Sequence, residues 1–320
     1  PTATVSSRNS ADASDQGFST NPLAGKPSVA VLPFGNVGAE GAADPLGDGL
    51  SAELISALSR LRYVSVTARG SSFRFRQSAP DLSTIARVLG VRYCLSGLVE
   101  TDGPKIAVTV ELARAADGVV IWSDRFAGPR DRVHDIRNKI VSEVVGALEL
   151  HVPIREAQAA RLLPPDQLDA WAEYHIGLQD LYRFNPHDNS IAEARFRNAV
   201  KREPGFARAH AGLSFVAFQN AFMGYGSDLE RHRQEARAFA EKSLELDMLD
   251  PFGNYCMARA GWMNGDLETA DSWVGRSLEM SPNFAQGHYL RSLIRVMLGQ
   301  GKPIREGNRL AMVLSPLDPL

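Results

Sequence analysis

Apolar residues between positions 26 and 150 switch between the spacing of strands and the spacing of helices. The run Val29–Phe34 is almost entirely apolar and is flanked by Pro27 and Gly35, which predicts a short strand buried on both faces. Leucines at helical spacing follow over 50–61. We place further strands at 64–67, 93–100, 106–112 and 119–126, and further helices at 81–89 and 133–148. The order β-α-β-α-β-β-β-α predicts an α/β domain in which helices cover a mixed sheet.

The last third of the chain repeats with a period of 34 residues. Gly265 recurs as Gly299, and Ser281-Pro282 recurs as Ser315-Pro316. A repeat of this length made of two helices is typical of the tetratricopeptide solenoid, in which each unit buries its apolar face against its neighbours. We therefore expect an all-α tetratricopeptide-type solenoid after the α/β domain. Such arrays bind other chains and rarely catalyse reactions.

These patterns divide the chain into four parts. Residues 1–25 are rich in Ser, Ala, Asp and Asn, and we expect them to form a disordered linker. The α/β domain takes 26–150, and a connector that ends at Pro164-Pro165 takes 151–164. About four helical hairpins take 165–320. We expect another module before the linker and more repeats after the last hairpin.

Composition excludes several classes of protein. The chain of 320 residues has a net charge of −2 and 44% hydrophobic residues, as ordinary globular domains do. Basic residues are not in excess in either half, which argues against direct contact with nucleic acid. No apolar run approaches the roughly 18 residues of a membrane span. Cys94 and Cys256 match no metal-ligand or disulfide spacing, so we expect two buried thiols.

The repeat register predicts that the first helix of each hairpin lines a concave groove. The side chains expected in this groove are Trp171, Tyr174, His175, Arg208, Phe215, Phe252, Tyr255, Arg259, Trp262, Gln286 and Tyr289. We expect a protein or peptide partner with an apolar or helical segment, anchored by Arg208 or Arg259. The groove lacks the Lys, Asn and Arg set with which some tetratricopeptide proteins hold a terminal carboxylate. The alternative is that these aromatic residues pack between helices or against the first domain, because Tyr and Trp serve cores and interfaces alike.

No pattern indicates a catalytic, cofactor-binding or metal site. The seven histidines include no pair at helical i,i+4 spacing, and no serine-hydrolase elbow or phosphate-binding loop is present. Gly47–Ala52 fits the dinucleotide fingerprint G-x-G-x-x-A, but Gly35–Leu46 separate it from the first strand, and Asp48 would repel a phosphate. We therefore expect no enzyme, no cofactor and no metal in this region.

Several short blocks of the first domain carry a family resemblance. They are Ser28–Phe34, Gly47–Leu50, Arg69–Phe73, Ile85–Arg87, Leu89–Tyr93, Gly97 and Trp122–Phe126. In this order they resemble the TolB amino-terminal-like domain, which precedes tetratricopeptide repeats in bacterial signalling proteins. In that family the domain usually follows an OmpR-type winged-helix DNA-binding domain or a class III adenylate/guanylate cyclase domain. The resemblance implies a regulatory context and supplies no catalytic residues.

The combined interpretation is a non-catalytic sensory region of a bacterial signalling protein, with a winged-helix transcriptional regulator as the first choice. The alternatives are the C-terminal region of a class III cyclase and a stand-alone repeat scaffold. The partners expected are an upstream output domain of the same chain and a protein or peptide in the groove. We expect a cytoplasmic location, or a periplasmic one if a membrane span lies upstream.

Overall fold

The computed structural model describes residues 25–37, 45–76, 81–300, 307–309 and 311–312. The strands are β1 (Ser28–Val31), β2 (Gly35–Asn36), β3 (Ser65–Val66), β4 (Tyr93–Asp102), β5 (Lys105–Arg114) and β6 (Val120–Pro129). The helices are α1 (Pro45–Leu58), α2 (Arg69–Ser72), α3 (Leu82–Leu89), α4 (Val133–Ala160), α5 (Ala170–Leu181), α6 (Pro186–Arg202), α7 (Ala207–Phe222), α8 (Leu229–Leu246), α9 (Pro251–Met263), α10 (Leu267–Met280) and α11 (Ala285–Met297). Short 3-10 turns lie at Phe73–Phe75, Arg130–Arg132 and Pro165–Gln167.

The sheet of the first domain is mixed, as the sequence predicts. Its strand order is β3-β1-β4-β5-β6, and β2 pairs with β4 outside this path. Strand β1 runs parallel to β3 and β4, whereas β4, β5 and β6 are antiparallel neighbours. The β4–β5 hairpin closes where Asp102 pairs with Lys105, and Gly103 has the positive φ of 54° that a tight turn needs.

Strand β1 is the centre of the first domain. Val29, Ala30 and Val31 are completely buried, which confirms the prediction of a strand covered on both faces. Val29 and Val31 belong to the apolar cluster that includes α1 and α4, whereas Ala30 packs with Ile85 of α3 on the other face. Helices therefore cover both sides of the sheet.

Helix α4 is 28 residues long and extends well past the predicted end of the first domain. The predicted connector, 151–164, consists largely of its second half. The apolar stripe of the helix continues to Val152, which is fully buried with the sheet cluster. Pro153 lies inside α4 and has no N–H to donate to the carbonyl of Glu149 one turn earlier.

The helices after residue 165 pair into hairpins α5/α6, α7/α8 and α9/α10, and α11 begins the next pair. The second helix of each complete hairpin places fully buried, mostly small residues against its partner: Ala192, Phe196, Ala199, Ala236, Ala240, Ser243, Ala270, Val274 and Ser277. Gly212 of α7 lies so close to Phe196 that an added Cβ would stand 2.7 Å from the ring. Ser315-Pro316, the last predicted repeat landmark, lies outside the described residues.

Candidate functional site

The inner face of the repeats is formed by α5, α7, α9 and α11, which contact one another in sequence order. This is the face on which the sequence places a partner-binding groove. Helix α4 of the first domain lies against it and contacts α5 along its second half. The deep part of the groove is therefore covered by the chain itself.

Helix α4 is tied to the turn between α10 and α11 by three side-chain hydrogen bonds. Asn283 Nδ2 donates to the Ser142 carbonyl at 3.0 Å, and Ser142 Oγ donates to Asn283 Oδ1 at 3.2 Å. Further along the helix, Ser281 Oγ donates to Glu149 Oε1 at 2.8 Å. These bonds join the α/β domain to the far end of the repeat array.

The segment that follows α1 makes a second contact with the repeats. Arg62 Nε donates to Asp247 Oδ2 at 2.8 Å, and the Arg208 guanidinium lies 4.9 Å from the centre of the Tyr63 ring. The Arg62 side chain is 46% exposed, so its ion pair adds about 1 kcal/mol at most. Tyr63 is 5% exposed and packs as part of the core, so it supplies most of this contact.

A cavity of about 420 Å³ remains between α4, the segment after α1 and the inner face of the repeats. Its lining is mainly apolar and includes Leu61, Leu150, Pro153, Ile154, Leu178, Tyr182, Phe252 and Phe284. Polar side chains enter it at a few points, chiefly Glu149, Arg208, His175 and Gln286. A mostly apolar cavity with a few polar groups is the usual form of a small-molecule site.

Glu149 and His175, which both line the cavity, have strongly shifted pKa values. Burial raises the pKa of Glu149 to about 7, although the Ser281 hydroxyl and, more distantly, Arg208 favour the charged form. Burial lowers the pKa of His175 to about 3, and the positive charge of Arg208 adds to this effect. Near neutral pH, His175 is therefore uncharged, and Glu149 is close to its midpoint.

Two cations, Arg208 and Arg62, line the cavity. Arg208 Nη2 donates to Asp250 Oδ1 at 2.8 Å, and Asp250 is only 1% exposed. Burial and the charges of Arg208 and Arg62 lower the pKa of Lys26, which forms no ion pair within the described residues. The charges of Asp247 and Asp250 act on Lys26 in the opposite direction.

Five of the predicted groove residues line the cavity: Tyr174, His175, Arg208, Phe252 and Gln286. They face the cavity between the repeats and the first domain. Gln286 Oε1 accepts a hydrogen bond from the Tyr182 hydroxyl at 3.3 Å, which links α11 to α5. Whether these residues bind a partner stays a prediction.

Phe215, Tyr255 and Arg259 do not line an open groove, contrary to the sequence prediction. Phe215 and Tyr255 are at most 1% exposed, with ring centres 6.0 Å apart. The Arg259 guanidinium is sandwiched with them, 3.9 Å from the Phe215 ring centre and 4.3 Å from that of Phe218. The alternative noted from the sequence, packing between helices, describes these three residues.

The three other predicted residues are half-buried. Trp171 lies at the boundary between the domains, with its ring centre 4.5 Å from that of Phe206. Trp262 packs on Phe222 at 5.1 Å between ring centres. Tyr289 lies on α11.

An apolar surface remains open where α7, α9 and α11 end. Phe222 is 57% exposed and Met297 is 53% exposed, and Trp262 joins them because its Nε1 points to Met297 Sδ at 3.0 Å. We call Phe222, Trp262 and Met297 the open-end patch. Contiguous exposed apolar side chains of this kind mark contact surfaces.

Sequence reasoning missed Glu149, Tyr63 and Ser281 in the cavity. The sequence contains one indication of the Glu149 position: the apolar residues Val152 and Ile154 extend the pattern of α4 past residue 150 and favour a longer helix. The polar residues that meet across the domain interface are more than 130 positions apart, and they carry no periodic signal.

Within the described residues, no group of three or more His, Cys, Asp or Glu side chains could hold a metal ion. None of the helices in this part of the chain combines the length and hydropathy of a membrane-spanning segment. Asp48, in the fingerprint-like segment, lies within α1 and forms an ion pair with Arg76.

Residues 25–143 match the family model described as HilA/YgeH-like transcriptional regulator, second domain. This match covers the sheet and the start of α4. The chain is also similar to a protein of Rhizobium meliloti (strain 1021) with the name "Putative adenylate cyclase 3", at 26% identity over 242 residues. The matched part is 75% of this chain and 41% of that protein, so the chain corresponds to less than half of this curated relative.

Solved structures resemble separate parts of the chain. A thermophilic TPR protein of Thermus thermophilus aligns with 55% of this chain and 91% of its own length, at 15% identity and a TM-score of 0.44. TolB from Acinetobacter baumannii aligns with 38% of this chain and 28% of its own length, at 16% identity and a TM-score of 0.29.

Proposed function

We propose that this chain is a non-catalytic sensory and regulatory region of a bacterial signalling protein, and that the protein is a winged-helix transcriptional regulator. The observation that carries the proposal is the docking of α4 across the inner face of the repeats. A scaffold that only displayed a binding groove would leave that groove open. Here a helix of the neighbouring domain covers the groove. A change in the packing of either domain therefore also changes the surface that the other domain contacts, which couples the two domains.

The regulator assignment is supported by the match of residues 25–143 to the second domain of transcriptional regulators. In the proposed arrangement, this domain is of the TolB amino-terminal-like kind and connects an output domain elsewhere in the protein to the repeats. Helix α4 transmits the state of the repeats, since one of its faces packs in the sheet cluster from Ile136 to Val152 and another, which carries Ser142 and Glu149, is hydrogen-bonded to the repeats.

The partner in this proposal is a protein or peptide that binds the open-end patch with an apolar segment. Phe222, Trp262 and Met297 offer two aromatic rings and a thioether at the surface, which are side chains enriched where proteins bind each other. Of the predicted groove residues, Trp262 is the one that belongs to this patch.

The second candidate function is the C-terminal region of a class III adenylate/guanylate cyclase. It is favoured by the name of the Rhizobium meliloti relative, whose matched part covers most of this chain. In that case the catalytic domain lies outside the chain, and the same docking of α4 regulates nucleotide cyclisation.

The proposed coupling is tested in the full-length protein with Asn283→Ala, which removes two hydrogen bonds between α4 and the repeats. We expect this variant to change the output, because losing both bonds weakens the docking by about 1–3 kcal/mol. The matched control is Arg237→Ala, whose ion pair with Glu241 lies within α8 and is exposed. Promoter binding and cyclic nucleotide formation are measured in parallel.

The measured output that changes, promoter binding or cyclic nucleotide formation, decides between the two candidate functions. A change in promoter binding without cyclase activity supports the regulator, and a change in cyclase activity supports the second candidate. If Asn283→Ala loosens the domains in limited proteolysis and neither output differs from that of the control, the coupling proposal is refuted.

A further inference from the structure

The cavity between the domains has the size and position of a ligand site. Its volume of about 420 Å³ lies within the range of about 300–1,000 Å³ that small-molecule sites occupy. Its walls are mainly apolar, so a molecule with an apolar body that fills it removes this surface from water. The Tyr63 hydroxyl at its edge is buried without a hydrogen-bond partner among the described residues.

One wall of the cavity is negative. The Glu149 carboxyl accepts a hydrogen bond from Ser281, but it forms no ion pair with any described residue. Buried carboxylates without a counter-charge are costly, and a cationic group beside Glu149 would remove this cost. The site offers the right environment for an ammonium group, since the Tyr63 ring also borders Glu149.

The other wall is positive. Arg208 is paired with Asp250, but Asp250 also caps the N-terminus of α9 and accepts the Phe252 N–H at 3.0 Å. The peptide dipoles of α9 therefore already balance part of the Asp250 charge. Arg62 also lines the cavity, so two guanidinium groups favour an anionic group here.

Between the two walls the lining is apolar, with Leu150, Ile154, Leu178 and Phe284 around the remaining space. A ligand that fits all three regions has a carboxylate, an ammonium group and an apolar body. We propose that the cavity binds a free α-amino acid with an apolar side chain, with its carboxylate toward Arg208 and its ammonium group toward Glu149. The inference goes beyond the proposed regulatory role and holds for either output domain.

Ligand binding at this site depends on pH through Glu149. The charged or titratable groups that face it are Arg208 from α7, Tyr63 from the segment after α1 and His175 from α5. His175 stays neutral because its pKa is lowered to about 3, and Tyr63 stays neutral because burial raises its pKa. The ammonium group pairs with ionised Glu149, so affinity falls by up to about tenfold for each pH unit below the Glu149 pKa of about 7.

The test is calorimetric titration of the full 320-residue chain near pH 8 with L-leucine, L-methionine and L-phenylalanine as probes. The matched compounds are 2-phenylethylamine, which lacks the carboxylate, and 3-phenylpropionate, which lacks the ammonium group. We expect at least one amino acid to bind, and L-phenylalanine to bind about tenfold or more tightly than either matched compound. Glu149→Gln should weaken amino acid binding by about tenfold and should not weaken 3-phenylpropionate binding, because that compound has no ammonium group to pair with Glu149.

The control variant is Glu143→Gln, which changes an exposed carboxyl on the same helix and should alter nothing. Glu149→Gln is preferred to an Arg208 variant because removing Arg208 would leave Asp250 buried and unpaired, and the protein could then fail to fold. Binding by none of the three amino acids at about 10 mM refutes the proposal. Equal binding of L-phenylalanine and a matched compound, or no effect of Glu149→Gln, also refutes it. None of these results bears on the coupling measured with Asn283→Ala.

Discussion

The carboxyl of Glu149 makes the stability of this protein depend on pH near neutrality. It lies on α4 at the domain interface, receives one hydrogen bond from Ser281 and has no ion-pair partner among the described residues. The perturbation we consider is Glu149→Gln, which retains an oxygen to accept the Ser281 hydroxyl and removes the charge.

The sign of the effect follows from the pKa of Glu149, which burial raises from 4.5 in the unfolded chain to about 7. The folded state prefers the protonated form, so its stabilising contribution is complete below about pH 4.5 and is lost as the pH rises toward 7. Above about pH 7, the Glu149 carboxyl of the folded protein is charged, which lowers the free energy of unfolding by about 3 kcal/mol at most. Solvent that reaches the half-buried side chain through the cavity reduces this cost.

The assay is chemical denaturation of the wild-type chain and the variant near pH 5 and pH 8, followed by circular dichroism. We expect Glu149→Gln to be more stable by up to about 3 kcal/mol near pH 8 and nearly equal near pH 5. His175, with its pKa lowered to about 3, makes both proteins less stable as the pH falls below about 6.5, and this effect cancels in the comparison. Glu143→Gln on the same helix is the control. A difference that is the same at both pH values, or a less stable Glu149→Gln near pH 8, would refute the reasoning.

Three further predictions concern the packing of the helices. Gly212→Ala should lower the free energy of unfolding by about 1–3 kcal/mol, because its Cβ would meet the buried ring of Phe196 at 2.7 Å. Gly146→Ala in α4 should instead raise the free energy of unfolding by up to about 1 kcal/mol, since nothing lies within 4 Å of the added Cβ. Thermal melts measure both variants, and the same shift in melting temperature for both would contradict this prediction. Arg259→Met should change stability by no more than about 1 kcal/mol, because the lost cation–π contacts are offset by relief of an unpaired buried cation. A loss above about 3 kcal/mol would contradict that balance.

The sequence was most informative where structure is decided locally. The buried strand at Val29–Val31 could be predicted because residues of one type follow each other between two breakers. Gly90 directly follows the helix predicted at 81–89, and it adopts the left-handed φ of 66° that ends α3. The repeat hairpins could also be predicted from a local pattern, since small residues such as Ala236 and Ala270 recur at spacings that only close helix packing explains.

The sequence was least informative about which surfaces face each other across long separations. Aromatic residues on the first helices satisfy two arrangements equally well, an open groove or a packed core. For Phe215 and Tyr255 the choice depends on the neighbouring rings of Phe252 and Phe284, which surround them in the folded array. The docking of α4 depends on polar contacts such as Ser142 with Asn283, which no local pattern predicts.

If a ligand binds as we propose, the cavity and the docked helix α4 act together in regulation. An amino acid in the cavity would touch Glu149 on α4 and Arg208 on the repeats, so it would bind the docked arrangement and not the separated one. By mass action, a ligand at about 100 times its Kd would stabilise that arrangement by about 2.7 kcal/mol. This is close to the cost of the ionised Glu149 above pH 7, so the ligand would offset at neutral pH the penalty that the empty cavity carries. Occupancy would then control how firmly α4 is held, and the sheet packed on its other face would carry that change toward the proposed output domain.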